Sequence, residues 1–352
     1  MVSSLKLANL WRVISDIDLD RIRATADTPF ELLVVAEDAD LGERVRIGLG
    51  AVDGGGVHPY VAVATPEQAL QRPTWPLATV LASRHADLSL AMKKVDEHCI
   101  RAGWPRLTLI VGMVAREASA RRLAEHSRVA VEDPVSGPRA LAAAIVEIVE
   151  GDLRLAVASA LPVFRPVVTQ VIVDETAKAN ASFAVTTGLA ETIPVLSAPL
   201  NMGDMIVLTK NQLVMGYKIA LATGRRAEPK AMVTELLGVI GGGLLFRQAA
   251  RQLVGLIPVA GLVPKVVVAY AGTYAIGRAL TGWAMSGVEV TPEALATYTN
   301  EGLGRGREMA QQLIAQMKGG VPSPRRSWQR LRGWLPSRKT PGATPGVPPA
   351  DV

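Results

Sequence analysis

The hydrophobic rhythm of this 352-residue chain changes once, at Gly151, and that change constrains the fold more than any other feature. Ahead of it, short apolar runs alternate with amphipathic stretches. Phe30–Ala36 is rich in Leu and Val, as a strand buried on both faces should be, and Tyr60–Ala64, Leu77–Ala82, Leu107–Val111 and Arg128–Val131 read the same way. Helical spacing fills Asp87–Ala102, Arg116–His126 and Pro138–Glu150. Strands alternating with helices predict a mostly parallel sheet covered on both sides, an α/β domain over residues 29–150. In front of it, residues 5–26 of an N-terminal segment 1–28 place Leu7, Leu10, Ile14 and Ile17 at the spacing of an amphipathic helix, which Thr28-Pro29 ends.

Beyond Gly151 the strand signal disappears. Long helical segments are expected at about 152–188, 203–223, 229–252, 262–284 and 292–318, bent or separated by Pro162, Pro166, Pro194, Pro199, Pro258 and Pro264. Residues 151–318 therefore read as an all-α domain, and 319–352, dominated by Pro, Gly, Ser and Arg, as a disordered basic tail. Within the helical part, Gly255–Leu280 is apolar and glycine-punctuated but interrupted by Lys265. A spanning helix needs about 20 apolar residues in a row, and a lysine at the bilayer centre costs about 2.5–3.5 kcal/mol. The block is expected to be either a buried helical hairpin or a compromised membrane segment. Gly261, Gly272 and Gly277 suit close helix contact in both settings.

Composition narrows the function classes. With 49% hydrophobic and 20% charged residues the chain is not disordered as a whole, and with 4% aromatics its apolar mass is Ala, Val, Leu and Ile. The formal charge of +6 is concentrated in the tail at Arg325, Arg326, Arg330, Arg332, Arg338 and Lys339; the rest is close to neutral, so no nucleic-acid partner is expected. Cys99 stands alone, which rules out an internal disulfide and a thiolate zinc site. The N-terminus lacks a signal-peptide apolar core, so the bulk of the chain is expected in the cytoplasm.

The first strand runs into Glu37-Asp38-Ala39-Asp40-Leu41-Gly42-Glu43, with a helix expected after it. Nucleotide-binding α/β domains put a phosphate loop here, built from glycines, a lysine and a Ser or Thr. This loop has one glycine, no lysine and no hydroxyl, and it sets Glu37, Asp38 and Asp40 where phosphates would lie. With no cation expected to offset them, these carboxylates repel a triphosphate, and no cofactor is expected. The same three residues are the weak candidates for a magnesium site. A receiver-type site fails, since the later strands end in Thr65-Pro66 and Ser83-Arg84 without an aspartate, and Met113 replaces the needed lysine.

Other signals are weaker. His58, His85, His98 and His126 lack metal-binding spacing, and Cys99 beside His98 on a helix points away from it, as a half-buried structural cysteine. Gly54-Gly55-Gly56 reads as a flexible turn. Thr209, Lys210, Asn211 and Gln212 lie inside an otherwise apolar helix, where buried polar groups must find partners; they serve either inter-helix register or contact with a partner. In the tail, Arg325, Arg326, Arg330 and Arg332 interleave with Trp328, Leu331, Trp334 and Leu335, a pattern suited to anionic lipid and interfacial aromatic insertion.

The segment Asp204–Ala220, followed by Pro258–Lys265 and Ala271–Arg278 and led by Leu161–Pro166 and Asn180–Ala184, resembles the bacterial family called domain of unknown function 697 over residues 150–310. That family is similar to the C-terminal regions of some Era-like GTPases and of YcjF-like inner-membrane proteins. The resemblance implies a GTPase-like domain in front, here degenerate, because Ala36–Glu43 departs from the phosphate loop and Val111–Arg116 lacks the guanine-reading lysine. It implies no catalytic residues. The resulting expectation is a non-enzymatic adaptor or scaffold on the cytoplasmic side of the bacterial inner membrane, held by inner-leaflet lipids and docking a protein partner. The rivals are a wholly cytoplasmic scaffold whose apolar helices are core, and a magnesium-dependent enzyme using the acidic loop.

Overall fold

The computed structural model describes residues 17–112 apart from Trp75, residues 128–190, 200–226 and 262–318 apart from Glu289, and a few residues between Glu228 and Glu235. Five strands form one parallel sheet: β1 (Leu32–Ala36), β2 (Val61–Ala64), β3 (Ala78–Ser83), β4 (Arg106–Val111) and β5 (Arg128–Val131), in the order β2-β1-β3-β4-β5. The registers pair Val34 with Val63 and Val80, and Leu109 with Leu81's neighbour Ala82. Every residue of β1 is buried, which is why the strand reads as an unbroken apolar run.

Parallel neighbours need crossover connections, and helices supply them. α1 (Leu19–Ala26) precedes the sheet, α2 (Ala39–Gly50) follows β1, α3 (Pro66–Leu70) follows β2, α4 (Leu90–Ala102) follows β3, and α5 (Arg139–Ile148) follows β5. One face of the sheet forms a core of Leu33, Val35 and Leu81 with Leu88, Met92, Val95, Cys99 and Trp104 from the α4 side. On α2, close approach decides one residue: a Cβ on Gly48 would lie 2.0 Å from the Pro134 carbonyl oxygen of the β5–α5 loop.

The helical region contains α6 (Leu153–Ala160), a 3-10 turn (Pro162–Phe164), α7 (Arg165–Ala190), α8 (Leu200–Ala222), α9 (Leu262–Ser286) and α10 (Pro292–Lys318). α7 and α9 share the most extensive contact, α8 lies against both, and α1 lies on α6 and α8. A Cβ on Gly277 of α9 would sit 2.6 Å from Val173 of α7, so glycine sets that spacing.

The bundle is fastened by a polar relay. Asn180 of α7 is fully buried. Its Nδ2 donates to Thr273 Oγ1 of α9 at 2.8 Å, and its Oδ1 accepts from Asn211 Nδ2 of α8 at 2.7 Å. Thr273 in turn donates to the Ala269 carbonyl at 2.8 Å, as buried Thr176 and Thr299 donate to carbonyls one turn back.

Several expectations are corrected. The N-terminal helix begins at Leu19, with a bend at Ile17, so the expected 5–26 helix does not run through these positions; Met1–Asp16 lie outside the described residues. Asp18 stands immediately before it, a residue type favoured ahead of a helix. The break expected from Pro162 falls at Leu161, where Pro162 opens the 3-10 turn. Pro264 and Lys265 lie in the first turn of α9, the helix expected at about 262–284, where proline costs no helical hydrogen bond. Cys99 is buried, not half-buried. α3 was not expected; Thr65 and Gln68 cap it reciprocally, with Pro66 at its start. The helices expected at 116–126 and, for the most part, 229–252 lie outside the described residues, as does the tail.

Replacing Asn180 with Ala leaves the part-buried Asn211 amide and the buried Thr273 hydroxyl without their shared partner. The expected loss of stability is about 3 kcal/mol, with Thr273→Val costing about 1 kcal/mol, read by urea unfolding of the full chain. An Asn180→Ala protein as stable as the parent would show that the relay does not fasten the bundle.

Candidate functional site at the switch point of the sheet

The strand order reverses at β1: the chain goes to β2 on one side and to β3 on the other. In open α/β sheets the crevice beyond the carboxyl ends of such strands is where ligands bind. Here that place is the β1–α2 loop with Glu37, Asp38 and Asp40, facing the β3–α4 loop with Arg84, His85 and Ser89.

The three carboxylates, Arg84 and Ser89 each have a local partner. Asp38 is the N-cap of α2, and its Oδ1 accepts from the backbone amides of Asp40 at 2.9 Å and Leu41 at 3.3 Å. Arg84 Nε donates to Asp38 Oδ2 at 3.0 Å, and Arg84 Nη2 donates to Asp40 Oδ2 at 3.2 Å. The acidic loop is therefore offset by a cation, contrary to the expectation from its own sequence; the cation comes from the end of β3. Glu37 turns the other way and accepts from Ser89 Oγ at 2.6 Å. Ser89 is the N-cap of α4 and accepts from the Met92 amide. Both helix N-termini at the crevice thus carry caps from the chain itself.

The electrostatics follow the geometry. The Arg84 hydrogen bond, then the Leu41 amide, holds the Asp38 carboxyl below the ordinary aspartate range. A second anchored carboxylate lies after β5. Asp133 accepts from Arg44 Nη2 of α2 at 2.8 Å and from the amides of Val135 and Ser136, and these bonds, those to Ser136 first, push its pKa well down. It fixes the loop whose Pro134 carbonyl crowds Gly48.

Among the described residues, no group of three or more His, Cys, Asp or Glu is placed to hold a metal ion. Glu37, Asp38 and Asp40 are neighbours in sequence but do not converge: one faces Ser89 and two face Arg84. His58 Nδ1 accepts from the Tyr60 amide, with burial lowering its pKa, and His98 lies edge-on to Trp104 at 5.1 Å. His126 lies outside the described residues. Cys99 is kept protonated by burial, which raises its pKa. Gly54, Gly55 and Gly56 take φ of 92°, 96° and 90°, left-handed values that a side chain would strain, between the bridged residues Ala51 and Val57.

Of the polar helix residues, Asn211 is spent on Asn180, Lys210 has a partner, Gln212 is half-buried on α8, and the Thr209 side chain lies outside the described residues. Arg325, Arg326, Trp328, Arg330, Arg332 and Trp334 also lie outside them. No described helix is long and apolar enough to cross a membrane. Arg84 and Ser89 are the site residues that sequence reasoning missed. The one available signal for Arg84 was a charge directly after a strand of a doubly wound sheet.

Compared with protein-family models, with curated proteins and with solved structures, the chain gives no match. The geometry defines a fold: a five-stranded parallel α/β sheet followed by helices.

Asp38 makes two separable contributions, a cap and an ion pair. Asparagine keeps the cap and loses the pair; alanine loses both. At pH 7 the expected order of thermal midpoints is parent, then Asp38→Asn, then Asp38→Ala. A carboxyl depressed on folding stabilises above its unfolded pKa of about 3.9 and loses that stabilisation as pH falls through the folded value. The parent and Asp38→Asn midpoints should therefore converge below about pH 3.9; a gap that widens on acidification would refute the assignment.

Proposed function

We propose that this chain is a non-enzymatic, membrane-associated adaptor whose α/β domain is a GTPase-like frame without nucleotide chemistry. The observation that carries the reading is Asp38. In a phosphate-binding domain the amides at the start of the helix after β1 face the phosphate. Here those amides are taken by the Asp38 carboxylate, which Arg84 holds in place. A nucleotide would have to displace an internal anion and then meet Asp40 and Glu37.

The helical region supports the adaptor reading through its resemblance to domain of unknown function 697, carried by the blocks around Asp204–Ala220, Pro258–Lys265 and Ala271–Arg278. Attachment to anionic inner-leaflet lipid is assigned to the tail, whose arginines and tryptophans suit that surface. A protein partner would then dock on the α/β domain.

Two measurements test the parts separately. Calorimetry with GTP and with ATP, each with magnesium, should give no saturable heat; a micromolar dissociation constant would end the no-nucleotide reading. With vesicles of phosphatidylglycerol and phosphatidylethanolamine, the full chain should sediment at low salt and be released at 0.5 M salt (about a 4 Å Debye length), while a chain lacking 320–352 stays in the supernatant. A full-length chain that never sediments would leave a soluble scaffold.

A further inference from the structure

α9 carries one charge beyond its first turn, Arg278, and it lies against two other helices. Arg278 Nη1 donates to Gln170 Oε1 of α7 at 2.6 Å, and the guanidinium carbon lies 5.3 Å from the centre of the Tyr298 ring of α10. Both partners are neutral. Among the described residues no carboxylate pairs with Arg278. The next acid along each flanking helix is held elsewhere: Asp174, one turn beyond Gln170, by Arg305 at 3.3 Å, and Glu301, three residues beyond Tyr298, by the Tyr274 hydroxyl at 3.1 Å. A cation drawn out of water ordinarily has a counter-charge, because neutral partners only partly offset its desolvation.

The hydrogen bonds leave a matching gap. Arg278 Nε and Gln170 Nε2 are both buried, and neither has a hydrogen-bond partner among the described residues. Turning the Gln170 amide over does not close the gap. Arginine has only donors, so the Gln170 atom facing it must be the oxygen, and Nε2 is committed to the other side. Because Nη1 serves Gln170, the opposite edge of the guanidinium, Nε with Nη2, makes no bond to the described residues. That edge carries two parallel N–H groups, the fork that grips a carboxylate bidentately. Tyr298 braces the guanidinium through its ring and takes none of those N–H groups. A water molecule would answer the two orphaned donors but leave the charge unmatched; an anion answers both.

We infer that the junction of α7 and α9 is a binding site for a small carboxylate, held by the Nε–Nη2 edge of Arg278 and by Gln170 Nε2. The ligand supplies the counter-charge that the chain omits. Arg278 is only part-buried, which leaves a small anion a way in. The site is separate from the crevice of the sheet and from the tail, so it stands apart from the nucleotide and lipid readings.

The test is titration of the full chain with sodium acetate, exchanged for chloride at constant ionic strength and pH 7. The readouts are the Arg278 Nε–Hε NMR signal and the thermal midpoint. The signal should shift saturably, with a dissociation constant of about 10 mM or tighter, and the midpoint should rise as ligand binds the folded state. Arg278→Lys removes the fork and should weaken acetate binding about tenfold or more, read from the midpoint. Gln170→Glu keeps Arg278 and supplies a carboxylate from within the chain. It should raise the midpoint in chloride and abolish the response of the Arg278 signal to acetate. An Arg278 signal that stays still, or drifts without saturating as exposed arginines do, would overturn the proposal. So would a Gln170→Glu protein that answers acetate as the parent does, a result that does not depend on how Arg278→Lys folds.

Discussion

β1 is buried along its whole length, and much of the molecule follows from that constraint. A strand with no exposed residue needs a hydrogen-bonded neighbour on each edge and a layer of side chains on each face. β2 and β3 supply the edges as parallel strands, so the chain must cross over through helices. Those crossovers place the starts of α2 and α4 together at the carboxyl end of the sheet, and each start presents free backbone amides. The crevice is thus a by-product of burying β1, and its chemistry depends on what the chain offers those amides.

The chain offers its own acceptors, one carboxylate and one hydroxyl. Asp38 caps α2, Ser89 caps α4, and Arg84 ties the first loop to the second. An exposed ion pair of this kind is screened by solvent, so Arg84 is a poor device for stability. Its greater effect is on the field. Without it, Asp38 and Asp40 would repel each other across the start of α2; with it, the loop is held in one arrangement in which the Asp40 and Leu41 amides are spent on Asp38.

How much of this was legible depends on the range of the interaction concerned. The strands were visible because burial on both faces writes an apolar run, and Arg128–Val131 coincides with β5 residue for residue. The breaks around Pro162 were visible because proline acts through its own backbone. α3 was legible in principle from Thr65-Pro66-Glu67-Gln68, but five residues give no periodicity. Arg84 was not, because it lies 46 positions from Asp38 and only the strand order brings them together. Asn211 was suspected as a buried polar residue, yet its partner Asn180, 31 positions earlier, carries no mark in the sequence. Patterns within one element are read directly; pairs between elements wait for topology.

The same distinction bears on the apolar helices. α9 has the composition that raises the question of a membrane, yet Tyr270, Tyr274, Ala275, Ala279 and Leu280 are buried by neighbouring helices of the same chain. Its polar groups are met from two helices: α7 gives Asn180 to Thr273 and Gln170 to Arg278, and α10 sets the Tyr298 ring against Arg278 and Glu301 against Tyr274. Gly302 and Gly306 bring α10 so close that a Cβ on either would sit 3.0 Å from the backbone of α9. Much of this helix is covered by protein, with Val263 and Met285 near its ends exposed. Its apolar content is the demand of a tightly packed bundle with few aromatics, in which small residues allow close approach and buried amides fix which helix lies against which.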